Sequence, residues 1–99
     1  MKIDRAAGAQ AISVRAKAIG MEHDVMIAEC VWDIGADLGH QYAHRLDLIT
    51  SAAQTVRLYF QDIDLTDVGT EYRRERVEDR LRRAVAQLKP LVFASTYRS

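Results

Sequence analysis

Apolar side chains between residues 40 and 63 recur at Tyr42, Leu46, Ile49, Ala53, Val56, Phe60 and Ile63. The steps alternate between four and three residues, the period of a helical seam. A strand would instead place apolar residues at every second position, and this segment reads as lacking that alternation. Pro90 is the only proline, so nothing earlier forces a helix to break. The spacing therefore predicts a helix over 41–61.

The same period recurs on both sides. Val77, Leu81, Ala84, Leu88 and Leu91, widened by Val85 and Val92, predict a helix over 71–89. The Asp-, Thr- and Gly-rich stretch 62–70 reads as a connection, with Thr66, Asp67 or Thr70 as N-cap and Glu71 in the first turn. At the other end Asp4 is a good N-cap for a helix over 5–19, in which Ala7, Ala11, Val14 and Ala18 share a face beside Ile12 and Ile19. Gly20 is the natural stop, and Glu22 or Asp24 would open a further helix over 22–38 carrying Val25, Ala28, Trp32 and Gly35. The apolar phase also continues through Gly20 and Gly39, so those glycines are either turns or positions inside longer helices. Glycine costs about 1 kcal/mol within a helix.

The expected fold is thus all-α, a small bundle of three or four helices forming one domain over residues 1–99. A chain of this length buries a modest core. The alanines and glycines of its first third let helices approach closely, so the bundle is expected to be completed by a second copy, as a homodimer.

Composition narrows the function. With 48% apolar and 28% charged residues the chain is too apolar for a disordered tail. Its longest uncharged stretches span about nine residues, against the roughly 20 needed to cross a bilayer. Asp4 and Arg5 follow Met1 and Lys2 closely, so no signal-peptide core is expected and a cytoplasmic location is. The single cysteine, Cys30, makes neither an internal disulfide nor a zinc knuckle.

Fourteen basic and fourteen acidic residues cancel, but unevenly. Acids are in excess before residue 71 and bases after it. On a helical wheel Arg73, Arg76, Arg80 and Arg83 form one stripe, beside Glu71, Glu75, Glu78 and Asp79. Glu78 to Arg82 and Asp79 to Arg83 are favourable i,i+4 pairs. The arginine stripe reads as a solvated face, as a dock for an acidic protein partner, or as a weak nucleic-acid surface that neighbouring carboxylates oppose. Glu29, Asp33 and Asp37 form an acidic row at helical spacing, for which the arginine stripe is the nearest candidate cover, in this chain or in another.

His40 and His44, four apart, have the spacing of a helical metal pair, with Asp37 and Asp47 within reach. Asp37-x-x-His40 is half of a di-iron bundle motif, and no Glu-x-x-His accompanies it. Ala43-His44-Arg45-Leu46-Asp47 is similar to the phosphoacceptor helix of histidine phosphotransfer domains and kinase dimerisation helices. That resemblance spans five residues and implies an exposed phosphoryl-accepting His44. Asp47 stands where the pattern carries a lysine. Cys30 has no base beside it in sequence, and Gly35-Ala36-Asp37-Leu38-Gly39 fits no phosphate-binding loop.

Trp32, Tyr42, Tyr59, Phe60 and Phe93 fall on or beside the apolar stripes, Trp32 and Tyr59 being the best partner anchors. The expected function is non-enzymatic: a small regulator, adaptor or inhibitor that docks on a protein partner. It would use Arg73, Arg76, Arg80, Arg83, Glu29, Asp33, Asp37, Trp32 and Tyr59, with no cofactor and no membrane. The alternatives are a metal or phosphoryl site at His40 and His44, and nucleic-acid binding through the arginine stripe.

Overall fold

Asp4 begins the fold as its sequence requires. In the computed structural model, which describes residues 4–35, 44–66 and 71–88, its backbone is extended and its carboxylate accepts the N–H of Ala7 at 2.8 Å. Helix α1 spans Arg5–Glu22 and so runs through Gly20. Gly20 serves the return of the chain. Its carbonyl accepts the N–H groups of His23 and Val25, and a Cβ there would lie 2.7 Å from the Val25 oxygen. Asp24 takes a positive φ of 60° and turns the chain into a strand.

That strand overturns the all-α expectation. Where helices over 22–38 and 41–61 were expected, the chain forms β1 (Ile27–Asp33), β2 (His44–Thr50) and β3 (Thr55–Phe60), an antiparallel sheet in the order β1-β2-β3. Leu46 pairs with Trp32 on one side and Leu58 on the other. The helical seam dissolves because alternation is present after all. His44, Leu46, Leu48 and Thr50 are buried, as are Leu58 and Phe60 with Val56 half-buried, while the residues between them face outward. A buried histidine and a buried threonine at the ends of β2 disguise its inward face as polar. Ala53, read as a seam residue, sits in the β2–β3 turn with a positive φ of 65°. Thr50 holds that turn, accepting the Gln54 N–H on its Oγ1 at 3.0 Å.

After β3 the expected connection contains a short helix, α2 (Asp62–Thr66), and the chain then forms α3 (Glu71–Val85), where the C-terminal period predicted a helix. Val77, Leu81, Ala84 and Leu88 are buried. Asp67, Thr70, Tyr42, Pro90 and the apolar segment after it lie outside the described residues.

Helices α1 and α3 lie side by side on one face of the sheet, α1 against β1 and α3 against β3. The core joins Ile12, Ala16 and Ile19 of α1 to Leu46, Leu48 and Phe60 of the sheet and Leu81 and Val85 of α3. Within α1 the alanine stripe faces the other way. Ala7, Ala11 and Val14 are exposed, and Ile12 and Ile19, read as accessories, carry the packing. Gly8 meets α2 so closely that an added Cβ would lie 1.8 Å from the Leu65 carbonyl oxygen. Among the described residues nothing covers the sheet's other face, the usual state of an antiparallel sheet covered on one side.

Candidate functional site

The open face is a three-by-three array set by strand register. Glu29, Ile49 and Thr55 make one row, Val31, Asp47 and Arg57 the next, and Asp33, Arg45 and Tyr59 the third. Arg57 donates to both Asp47 oxygens, at 2.8 and 3.3 Å, and holds the Asp47 carboxyl below the usual carboxylate range. Arg45 reaches Asp33 at 3.6 Å and Asp47 at 3.9 Å. The sheet thus brings together three residues singled out from the sequence, Glu29, Asp33 and Tyr59, with Val31 between the two acids. Val31 and Tyr59 are large apolar side chains left 44% and 46% exposed. Nothing in the sequence read as helix could have paired Tyr59 with Arg45; the signal was the β-branched and aromatic run Thr55-Val56-Arg57-Leu58-Tyr59-Phe60.

The two edges of this sheet differ. On the β3 side Arg80 donates to the Tyr59 carbonyl oxygen, and its guanidinium stacks 4.6 Å from the Phe60 ring centroid. Among the described residues the β1 side has no such cover. Its outer row of N–H and C=O groups holds no backbone partner among the described residues. The face along that edge alternates acid, apolar, acid through Glu29, Val31 and Asp33.

Among the described residues no arginine of the stripe pairs with Glu29 or Asp33, and Asp37 lies outside them. Arg73 pairs with Asp64 at 3.1 Å, Arg83 with Asp79 at 2.9 Å, Arg76 lies 5.9 Å from the Tyr72 ring centroid, and Arg80 covers the β3 edge. The i,i+4 pair Glu78–Arg82 is present at 3.4 Å. The long-range ion pairs run from α1 instead, a two-toothed Arg15–Glu78 pair at 2.9 and 3.0 Å and Arg5 on Asp62. Trp32 points the other way from Glu29 and Asp33. Its indole N–H donates to Ser13 Oγ at 2.8 Å and its ring packs against Phe60.

His44 is not a helical histidine, and neither ring nitrogen is free. It is fully buried at the start of β2. Nδ1 accepts the Gly35 N–H at 3.0 Å, which leaves the proton on Nε2, where it is donated to Asp62 at 2.8 Å. Arg5 and then His44 hold the Asp62 carboxyl at about 2, against 3.8 ordinarily. A metal or a phosphoryl group at His44 would have to displace one of these bonds. The phosphoacceptor resemblance fails on the strand conformation. Asp37 and His40 lie outside the described residues, and among the described residues no three His, Cys, Asp or Glu side chains converge as metal ligands. Cys30 is half-buried and burial pushes its thiol upward, the reverse of an activated nucleophile.

No helix of the described residues is long and apolar enough to cross a membrane. Comparison with known proteins gave no match, whether to a family model, a curated sequence or a solved structure.

Proposed function

We propose that this chain is a non-enzymatic docking module that takes an extended, basic segment of a protein partner alongside β1. One observation carries the reading: an edge strand with no outer partner among the described residues, whose open face presents Glu29, Val31 and Asp33 in alternation. An incoming strand completes the backbone ladder, which gives affinity, while its own alternation decides which side chains meet that face. Basic residues opposite Glu29 and Asp33, flanking an apolar one opposite Val31, satisfy it. Tyr59, in the same row as Asp33, supplies an aromatic contact further across the face.

A second copy of the chain is a poorer occupant. With the open faces on one side, an antiparallel β1–β1 pairing brings acids together either directly or diagonally. The register shift between Ile27 and Glu29 further bends the edge. Acids and bulge discourage self-association while leaving the edge open to a strand of opposite charge. The commitment of both His44 nitrogens and the raised Cys30 thiol support a role without chemistry.

Labelled peptides alternating lysine with valine, their glutamate counterparts and a duplex oligonucleotide test the reading by fluorescence anisotropy. The lysine peptide binds, slows hydrogen exchange along β1, and loses its binding in the Glu29→Lys, Asp33→Lys double variant, which takes up the glutamate peptide instead. Equal binding of both peptides, preference for the oligonucleotide, or a dimer held through β1 would overturn it.

A further inference from the structure

Helix α1 is apolar on two sides. Its inward side carries Ile12, Ala16 and Ile19 into the core. On the side away from the sheet Ala7, Ala11, Val14, Ala18 and Met21 follow one another at steps of four and three, within an arc of about 80° at roughly 100° per residue. No charged or polar side chain falls inside that arc. Val14 is 55% exposed and Met21 63%. Among the described residues α1 packs on α3, α2 and β1, and none of these covers its outward side. A surface helix ordinarily turns a polar face to water, and one that is apolar on both sides is covered on both.

The flanks of the arc decide what covers it. Lys17, beside Gln10, is exposed on one flank, and Glu22, beside Arg15, is exposed on the other. Arg15 is held by Glu78, and Glu22 acts on it only at longer range. Two α1 helices laid parallel about a twofold axis set a residue of one flank against the residue five positions on in the other helix. Lys17 then meets the partner subunit's Glu22, and symmetry supplies a second such pair. An antiparallel arrangement sets each flank against its own kind and brings no lysine to Glu22.

We propose that the outward side of α1 docks on the same helix of a second copy of this chain, in parallel. Val14 and Met21 form the middle of the seam, and Ala7, Ala11 and Ala18 let the two backbones approach closely. One pair of 18-residue helices makes a small interface, so the dimer forms reversibly. The seam uses no residue of β1, and strand docking there stands or falls by its own peptide measurements.

Sedimentation equilibrium of the full chain tests this. The parent associates to a dimer with a dissociation constant on the order of 10 μM. Val14→Glu, at an exposed helix position, abolishes the dimer while the circular dichroism spectrum stays that of the parent. Lys17→Glu and Glu22→Lys each set like charges together and weaken self-association by roughly tenfold. Mixed in equal amounts, these two variants recover it as a heterodimer, because each flank again meets its opposite. A chain that stays monomeric at every concentration, or a dimer that survives Val14→Glu, would overturn the proposal. So would a dimer lost instead in the Glu29→Lys, Asp33→Lys double variant, or a mixture that associates no better than either variant alone.

Discussion

The junction of α1, α2 and β2 and the open face of the sheet are built from the same kinds of group, carboxylates held by arginines, yet they differ in what else they hold. At the junction Arg5 and Asp62 close over His44, which is fully buried and offers Asp62 the only proton it can donate. Beside it Gly8 lies against the Leu65 backbone. On the open face Asp33, Arg45, Asp47 and Arg57 form a comparable chain of pairs, but Asp33 is 63% exposed and Arg57 50%. Water can replace the partners of Asp33 and Arg57, although Asp47 between the arginines is only 14% exposed and Arg45 Nε is buried. At the junction it cannot reach His44 or the Gly8 contact, so a substitution there leaves an orphaned polar group or a steric clash. A surface available for docking has to be drawn from the tolerant region, which is where the acids of β1 lie.

Gly8→Ala should break this contrast most visibly. In an exposed helix the change gains about 1 kcal/mol. Here the new methyl would stand 1.8 Å from a carbonyl oxygen that cannot rotate away, so α2 must move. We expect a net loss of about 3 kcal/mol by urea denaturation. A neutral or stabilising result would show that α2 is free to shift and the junction is not rigid.

How far the sequence revealed this contrast depends on the element. Asp4 with Ala7, and the Val77–Leu81–Ala84–Leu88 period, identified α1 and α3 because capping and helical period are local properties. The sheet was hidden for local reasons too. The β2–β3 turn is Ser51-Ala52-Ala53-Gln54, with no glycine, proline or asparagine to mark it, and its positive φ falls on alanine. In β1 the bulge between Ile27 and Glu29 breaks alternation where it would have been read. Glu29 and Asp33 were recognised as a row, but at helical spacing. A step of four also keeps two residues on one face of a strand, so the residues were right and the element was wrong. The Arg5–Asp62–His44 contact joins positions far apart in sequence and left no local signal.

Asp62 tests the junction through pH. Its folded carboxyl ionises at about 2 rather than 3.8, because Arg5 and then His44 favour the charged form. A depressed value stabilises the fold above the unfolded value and ceases to do so as pH falls. The contribution is therefore complete above about pH 4 and disappears on acidification through about 2. Asp62→Ala, which leaves the buried His44 N–H unpaired, should cost about 2 kcal/mol at neutral pH. The more isosteric Asp62→Asn should flatten the acid limb of a stability–pH curve by up to one proton, with slope from Asp47 and Glu78 remaining. An Asn variant whose acid limb matches that of the parent would remove Asp62 from the account.

The smallest effect belongs to the open face. Asp47 sits between Arg45 and Arg57, and Asp47→Asn removes the charge that both face. Arg57 is half exposed and can turn to water, and exposed ion pairs contribute about 0.2–1 kcal/mol, so the variant should lose about 1 kcal/mol at low salt. In 1 M sodium chloride, where the screening length is about 3 Å, the difference from the parent should vanish. The Asp62→Ala loss should persist in the same salt, because it comes from an unmet hydrogen bond in a buried place rather than from charges in water. If both losses vanish together, the two regions are electrostatically alike and the tolerance assigned to the β1 face has no physical basis. If both persist, Asp47 is structural, and a strand docking beside it would meet a face as rigid as the junction.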